Sequence, residues 1–378
     1  MKKIMIMTNN LVGGGAEKVL QTLVNNLDKE KYNITLYSLH YNIENLELFS
    51  SQIHYRYIFG YQKKNFLHDV FFNILDKIKG KLFIALPPSI FYRMYIKGKY
   101  DVEIAFIEGE STKIISGSPN NRSKKYAWVH IDLINNPWTK VVYKTTEEEK
   151  QCYKKFDKVF CVSSNVKEAF DKKYNTHNSF VQYNPVDEKE IIDKSKERNI
   201  EKQADLQLVT LGRLVPQKGY DRLLECVKKL KDNGYKDYNI WILGDGEQKE
   251  KLEKYIKINN LSDYVTLLGF KENPYPYIAA SDGFICSSRS EGFSTVATES
   301  LILGKPIYTV NCAGMKELFG EYNCGMIVEN DDVQLYKMMI KIITNKEIAN
   351  NYAKNIEKRK RFFTLTKRLN EIKIILDN

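Results

Sequence analysis

Short apolar runs separated by helical periodicity recur along the whole chain. In the first half Lys3–Met7, Ile34–Leu39, Val102–Ile107, Lys125–Ile131, Lys158–Val162 and Ser179–Tyr183 read as buried strands. Helical patterns such as Ala16–Leu27 and Lys167–Lys172 lie between them. The turn signal Asn184-Pro185-Val186-Asp187 follows, and then a charged stretch to about Asp205 that reads as a connection. The alternation restarts with Leu206–Gly212, Tyr238–Gly244, Tyr264–Phe270, Asp282–Ser288, Lys305–Val310 and Gly325–Asn330. Strands alternating with helices predict parallel sheets covered on both faces. The expected architecture is α/β, with two doubly wound, Rossmann-like domains facing a cleft. The first spans residues 1–187 and the second 188–360. A last helical pattern, about Glu347–Leu376, has no strand after it.

A chain of 378 residues suits two domains. Its 43% hydrophobic and 28% charged residues exclude wholesale disorder. The opening Met1–Asn10 lacks the pattern of a secretory signal, and the apolar stretches are too short to span a bilayer. The six cysteines form no C-x-x-C pair, so a cytoplasmic chain with reduced thiols is expected. Net charge is +11, and +8 of it falls in residues 1–187. Residues 61–99 alone carry eight basic and two acidic residues. There Lys63, Lys64, Lys77, Lys79, Lys81, Arg93, Lys97 and Lys99 interleave with aromatics, and Leu67, Val70, Phe71, Ile74, Leu75 and Ile78 recur at helical spacing. That combination predicts peripheral contact with an anionic membrane. No nucleic-acid motif accompanies the basic charge, so no nucleic-acid partner is expected.

The candidate chemistry gathers after strand ends. Glu291 and Glu299 stand eight residues apart around Gly292-Phe293-Ser294-Thr295, where a helix should open. The unpaired N–H groups and dipole of such a helix start favour a diphosphate. Glu299, inside the helix, can accept hydrogen bonds from vicinal sugar hydroxyls. Arg213 and Lys218 share a Gly-flanked loop and can converge on the same anion. Gly244 and Phe270 end the next two strands. In the first half Gly14 and Gly15 precede a helix, and His130 ends an apolar strand. Glu108 and Lys113 are candidates for contact with an acceptor.

The run from Glu291 to Pro306 resembles the Glu-x7-Glu signature of retaining GT-B glycosyltransferases, in particular glycosyltransferase family 4. Gly212–Gly219 resembles that family's G-R-x-x-x-x-K-G element, and Gly13–Glu17 its Gly-Gly-Ala-Glu loop. The resemblance implies transfer of a hexose or N-acetylhexosamine from a nucleoside diphosphate sugar, UDP-linked, to a glycan. A lipid-linked (polyprenyl-diphosphate) acceptor in bacterial capsule, lipopolysaccharide or envelope synthesis is expected, at the inner face of the cell membrane. It implies roles in catalysis for His130 and Glu291. Donor binding would fall to Gly14, Gly15, Arg213, Lys218, Gly244, Phe270, Phe293, Ser294, Thr295 and Glu299. It further implies that residues 361–378 cross back to the first domain. No Asp-x-Asp triplet occurs, so neither metal nor other cofactor is expected. The alternative is a non-catalytic partner subunit of the same fold that binds glycan or polypeptide.

Overall fold

The computed structural model describes residues 1–11, 14–61, 66–345 and 347–377. The chain divides into two compact units, Met1–Asn184 with the segment from Leu369 onward, and Pro185–Arg368.

The first unit is built on a seven-stranded parallel sheet. Its strands are β1 (Lys2–Thr8), β2 (Tyr32–His40), β3 (His54–Phe59), β4 (Val102–Ala105), β5 (Lys124–Val129), β6 (Lys158–Cys161) and β7 (Ser179–Val181). Their order is β3-β2-β1-β4-β5-β6-β7, which reverses direction between β1 and β4. Helices cover both faces, so the central strand β1 is buried and mostly apolar: Ile4 to Met7 are wholly buried. β3 is an edge strand with Arg56 and Tyr57 exposed. That mixed pattern is why no apolar run announces it in the sequence.

The second unit carries β8 (Leu206–Leu211), β9 (Tyr238–Leu243), β10 (Val265–Gly269), β11 (Gly283–Cys286), β12 (Ile307–Val310) and β13 (Gly325–Val328). These strands are also all parallel, in the order β10-β9-β8-β11-β12-β13. The direction reverses between β8 and β11.

The charged stretch read as a connection contains a helix, Glu188–Ser195. Asp187 caps it, accepting from the N–H of Glu190 at 2.9 Å, and Ile191 is buried. A few apolar residues on an otherwise charged, exposed helix leave a weak periodic signal. The C-terminal helical pattern breaks at Lys360–Phe363, between helices Asn350–Arg359 and Leu365–Asp377. Asp377 accepts from Lys31 Nζ at 2.5 Å and from the Tyr32 hydroxyl at 2.6 Å, and the Tyr126 hydroxyl donates to the carbonyl of Ile375 at 3.3 Å. These bonds tie the last helix to the first sheet.

Candidate functional site

In open parallel sheets ligands bind beyond the carboxyl ends of the strands, at the point where strand order reverses. In the second unit that point lies between the segments following β8 and β11. Chain geometry there is set by Gly219, at φ +66°, where a Cβ would fall 2.2 Å from the carbonyl oxygen of Ser287. Only glycine combines that left-handed conformation with such an approach.

The two loops are stitched together. Lys218 Nζ donates to Oε1 of Glu291 at 2.8 Å, and the Ser288 hydroxyl donates to the same oxygen at 2.5 Å. The Ser287 hydroxyl donates to the Lys218 carbonyl at 3.1 Å, and Gln217 Nε2 to the Ser290 carbonyl at 2.9 Å. Arg289 forks onto Asp221 with two 2.8 Å bonds, holding that carboxyl below its usual range. Glu291 is buried, and no hydrogen bond from the described residues reaches its Oε2. Burial disfavours the Lys218 charge, but Glu291 outweighs it and the ammonium is held above its ordinary pKa. Arg213 acts on Lys218 as a like charge while its own side chain is exposed. The sequence-predicted pair of cations therefore shares one locality, with one carboxylate compensating one of them.

The helix opening beside this pair runs Thr295–Ile302, and the Ser294 hydroxyl accepts from the N–H of Ala297 at 3.3 Å. Thr295 starts the helix half-buried. Glu299 is 4% exposed and hydrogen-bonded to Tyr275, whose burial together with that carboxylate pushes the phenol pKa up. The Phe293 ring is buried against Phe363, with centroids 6.1 Å apart. Phe270, just beyond β10, is 71% exposed, which leaves a flat apolar face in solvent. Gly244 has a packing duty: a Cβ there would lie 2.0 Å from the Gly212 carbonyl oxygen, so the two strand ends touch backbone to backbone.

In the first unit the order reverses at the ends of β1 and β4. Asn9 Nδ2 donates to Glu110 at 3.0 Å, and the Ser111 hydroxyl returns a 3.0 Å bond to Asn9. Gly14 and Gly15 are exposed at the start of helix Gly15–Asn26, and the rest of that glycine loop, Val12 and Gly13, lies outside the described residues. His130 follows β5, and its Nε2 donates to the carbonyl of Phe106 at 2.8 Å. Burial lowers its pKa to about 4, so the ring is neutral and Nδ1 is an acceptor. A neutral acceptor suits a sugar hydroxyl and not a phosphate.

Glu108 and Lys113, expected at an acceptor, are turned inward. Glu108 accepts from the N–H of His130 at 3.0 Å and from Trp138 Nε1 at 3.2 Å. Lys113, 3% exposed, donates to the Val142 carbonyl at 3.0 Å and pairs with Glu148 at 2.9 Å. Their polarity made them look like site residues, while both serve the interior. Conversely, Ser288, Arg222, Arg289 and Tyr275 escaped sequence reasoning. The polar run Ser287–Ser290 directly after an apolar strand was the available signal.

Helices Phe66–Ala85 and Pro88–Tyr95 occupy most of the basic segment. Val70, Phe71, Ile74, Ile78 and Ile84 of the first and Ile90 and Met94 of the second are exposed, among Lys77, Lys81 and Arg93. Asp76 turns inward to the Gly60 N–H at 2.6 Å. Lys63, Lys64 and the side chain of Leu67 lie outside the described residues. No helix among the described residues is long and apolar enough to cross a membrane, and none of their His, Cys, Asp and Glu side chains form a group that could hold a metal.

Residues 191–359, nearly the whole second unit, match the family model "Glycosyl transferases group 1". The second unit is a glycosyl transferase group 1 domain. A Campylobacter jejuni relative is 33% identical over 198 residues, 52% of this chain and 51% of its own. It is named N-acetylgalactosamine-N,N'-diacetylbacillosaminyl-diphospho-undecaprenol 4-alpha-N-acetylgalactosaminyltransferase. The lipopolysaccharide core biosynthesis glycosyltransferase LpsE of Rhizobium meliloti is 29% identical over 153 residues, 40% of this chain and 43% of its own. The chain spans about half the length of the curated relatives it matches. Beyond the group 1 domain the likeness is one of fold. HepE from Anabaena, solved with UDP, superposes over 100% of both chains with TM-score 0.74 at 18% identity. Sucrose-phosphate synthase from Thermosynechococcus elongatus superposes over 99% of this chain and 98% of its own, with TM-score 0.79 at 16% identity. The fold is thus GT-B, an α/β architecture of two Rossmann-like units.

Proposed function

We propose that the chain is a retaining glycosyltransferase that moves a hexose or N-acetylhexosamine from a UDP-sugar to a lipid-linked glycan of the bacterial envelope. The observation that carries this is the Lys218–Glu291–Ser288 cluster at the strand-order reversal of the group 1 domain. Arg213, Lys218 and the helix start at Ser294–Thr295 supply countercharge to a departing diphosphate without reorganising. Glu291 keeps Oε2 to accept from a donor-sugar hydroxyl, and Glu299, oriented by Tyr275, faces the ribose. Phe270 offers a stacking face to the base. Neutral His130 accepts from a sugar hydroxyl. Retention follows if the acceptor attacks on the face the diphosphate leaves, whose oxygen takes the proton, so no protein nucleophile is assigned. The UDP bound by HepE and the diphospho-undecaprenol in the Campylobacter enzyme's name support the donor and acceptor classes.

Peripheral attachment to an anionic bilayer is part of the same reading. Its support is the exposed apolar residues of Phe66–Ala85 and Pro88–Tyr95 set among cations, with the Asp76 carboxylate bonded to the Gly60 N–H. The deciding experiment supplies UDP-sugars and an undecaprenyl-diphosphate glycan in excess chelator. UDP release with an α-linked product from an α-linked donor is expected. Complete, metal-restorable loss of activity removes the metal-independent mechanism, and a failure of UDP to bind removes the function.

A further inference from the structure

We propose that Arg222 is a positioning residue for the donor site: its guanidinium holds the turn after β11 in the shape that brings Ser288 and Glu291 onto Lys218. The inference rests on the nucleotide-sugar reading above and adds a residue that touches neither donor nor Lys218.

Arg222 sits in the first turn of helix Tyr220–Asp232, immediately after the Lys218-Gly219 loop, and is 6% exposed. A guanidinium removed from water ordinarily faces a carboxylate. Here the nearest, Asp332, is 3.8 Å away with its side chain 66% exposed. The fork is spent on neutral oxygens instead. Nε donates to the Ser287 carbonyl at 2.7 Å, and Nη2 donates to the Ser288 carbonyl and to Asn330 Oδ1, both at 2.8 Å. Asn330 Nδ2 passes the tie on to the Arg289 carbonyl at 3.1 Å. Three consecutive carbonyls beyond the last residue of β11 are therefore fixed by one cation and its amide partner. β11 ends at Cys286, so these oxygens lie past the strand ladder. The residues so fixed carry the Ser288 hydroxyl and lead directly into Glu291. Burial and the Arg289 charge both work against this cation, so its retention there needs a compensating role. A lysine retains the charge and cannot reproduce the three-way fork.

The test uses the full chain with Arg222→Lys and Asn330→Ala, each alone and in a Glu291→Gln background. UDP affinity is measured by calorimetry, and donor KM and kcat by UDP release. Arg222→Lys is expected to weaken UDP binding and raise donor KM by about tenfold, the scale of one lost buried hydrogen bond. Asn330→Ala is expected to act in the same direction more weakly. In the Glu291→Gln background the Arg222→Lys effect is expected to shrink, because the residue acts through Glu291. If Arg222→Lys does not fold, Asn330→Ala carries the test. Folded variants that bind UDP as the native protein does, or effects that simply add to Glu291→Gln, overturn the inference alone. A native protein that does not bind UDP overturns it together with the functional reading.

Discussion

Lys218 Nζ and Glu291 Oε1 lie 2.8 Å apart although 73 positions separate them in the chain. The pair ties the segments after β8 and β11 at the place where the sheet reverses its strand order. Lys218→Met should weaken UDP binding by roughly 10- to 100-fold, the worth of a charge-assisted bond, and leave Glu291 buried without its cation. Glu291→Gln keeps an acceptor for the Ser288 hydroxyl and should lower kcat more than UDP affinity. Calorimetry and steady-state rates on the two variants read these outcomes, and unchanged UDP affinity in Lys218→Met sinks the assignment.

Gly219→Ala tests the loop geometry. The position combines φ +66° with a carbonyl 2.2 Å from a would-be Cβ, so the loop must shift to accept a methyl group. A cost of about 1–3 kcal/mol in unfolding free energy is expected, together with a fall in kcat/KM. A denaturant midpoint and activity both matching the native protein would contradict it.

Lys113 makes a contrasting prediction. Lys113→Met strands the Val142 carbonyl and releases Glu148, and should cost about 1–3 kcal/mol of stability with donor and acceptor KM unchanged. A KM change without a stability change would return Lys113 to the site.

His130 should make stability pH-dependent. Its folded pKa of about 4 lies below the usual 6.5, so between those values the unfolded chain binds the proton that the folded chain refuses. Stability is therefore full above pH 6.5 and declines as pH falls toward 4, by about 3 kcal/mol in total. His130→Gln keeps a donor for the Phe106 carbonyl and should flatten that decline. Thermal melts of both proteins from pH 7 to 4 supply the comparison.

The attachment face is tested by flotation with phosphatidylglycerol vesicles at low salt. Ile74→Glu with Ile78→Glu should abolish co-flotation and leave transfer to a water-soluble acceptor intact. Undiminished flotation would move the contact elsewhere.

Where the sequence was legible, one local pattern decided the outcome. Apolar runs of four to seven residues mark strands buried on both faces, and the helix opening at Thr295 is announced by the Gly292–Thr295 turn in a single stretch. What escaped depends on partners distant in sequence. β3 is half polar because it lies at an edge. Helix Glu188–Ser195 buries too little to show a period. Lys113 and Arg222 are both basic residues near loops, and only the fold reveals that one supports the interior and the other the turn beside Glu291. Glu108 misled for the same reason, since a strand-end carboxylate looks alike whether it faces ligand or the His130 amide.

The helix Leu365–Asp377 packs against a sheet whose strands were all laid down before the second unit began. During translation the first unit therefore waits, with Tyr32 and Tyr126 short of their partners, until the entire second unit has left the ribosome. A nascent chain stalled anywhere before residue 365 should present the first unit to chaperones and proteases in an unfinished state, however complete its strand set.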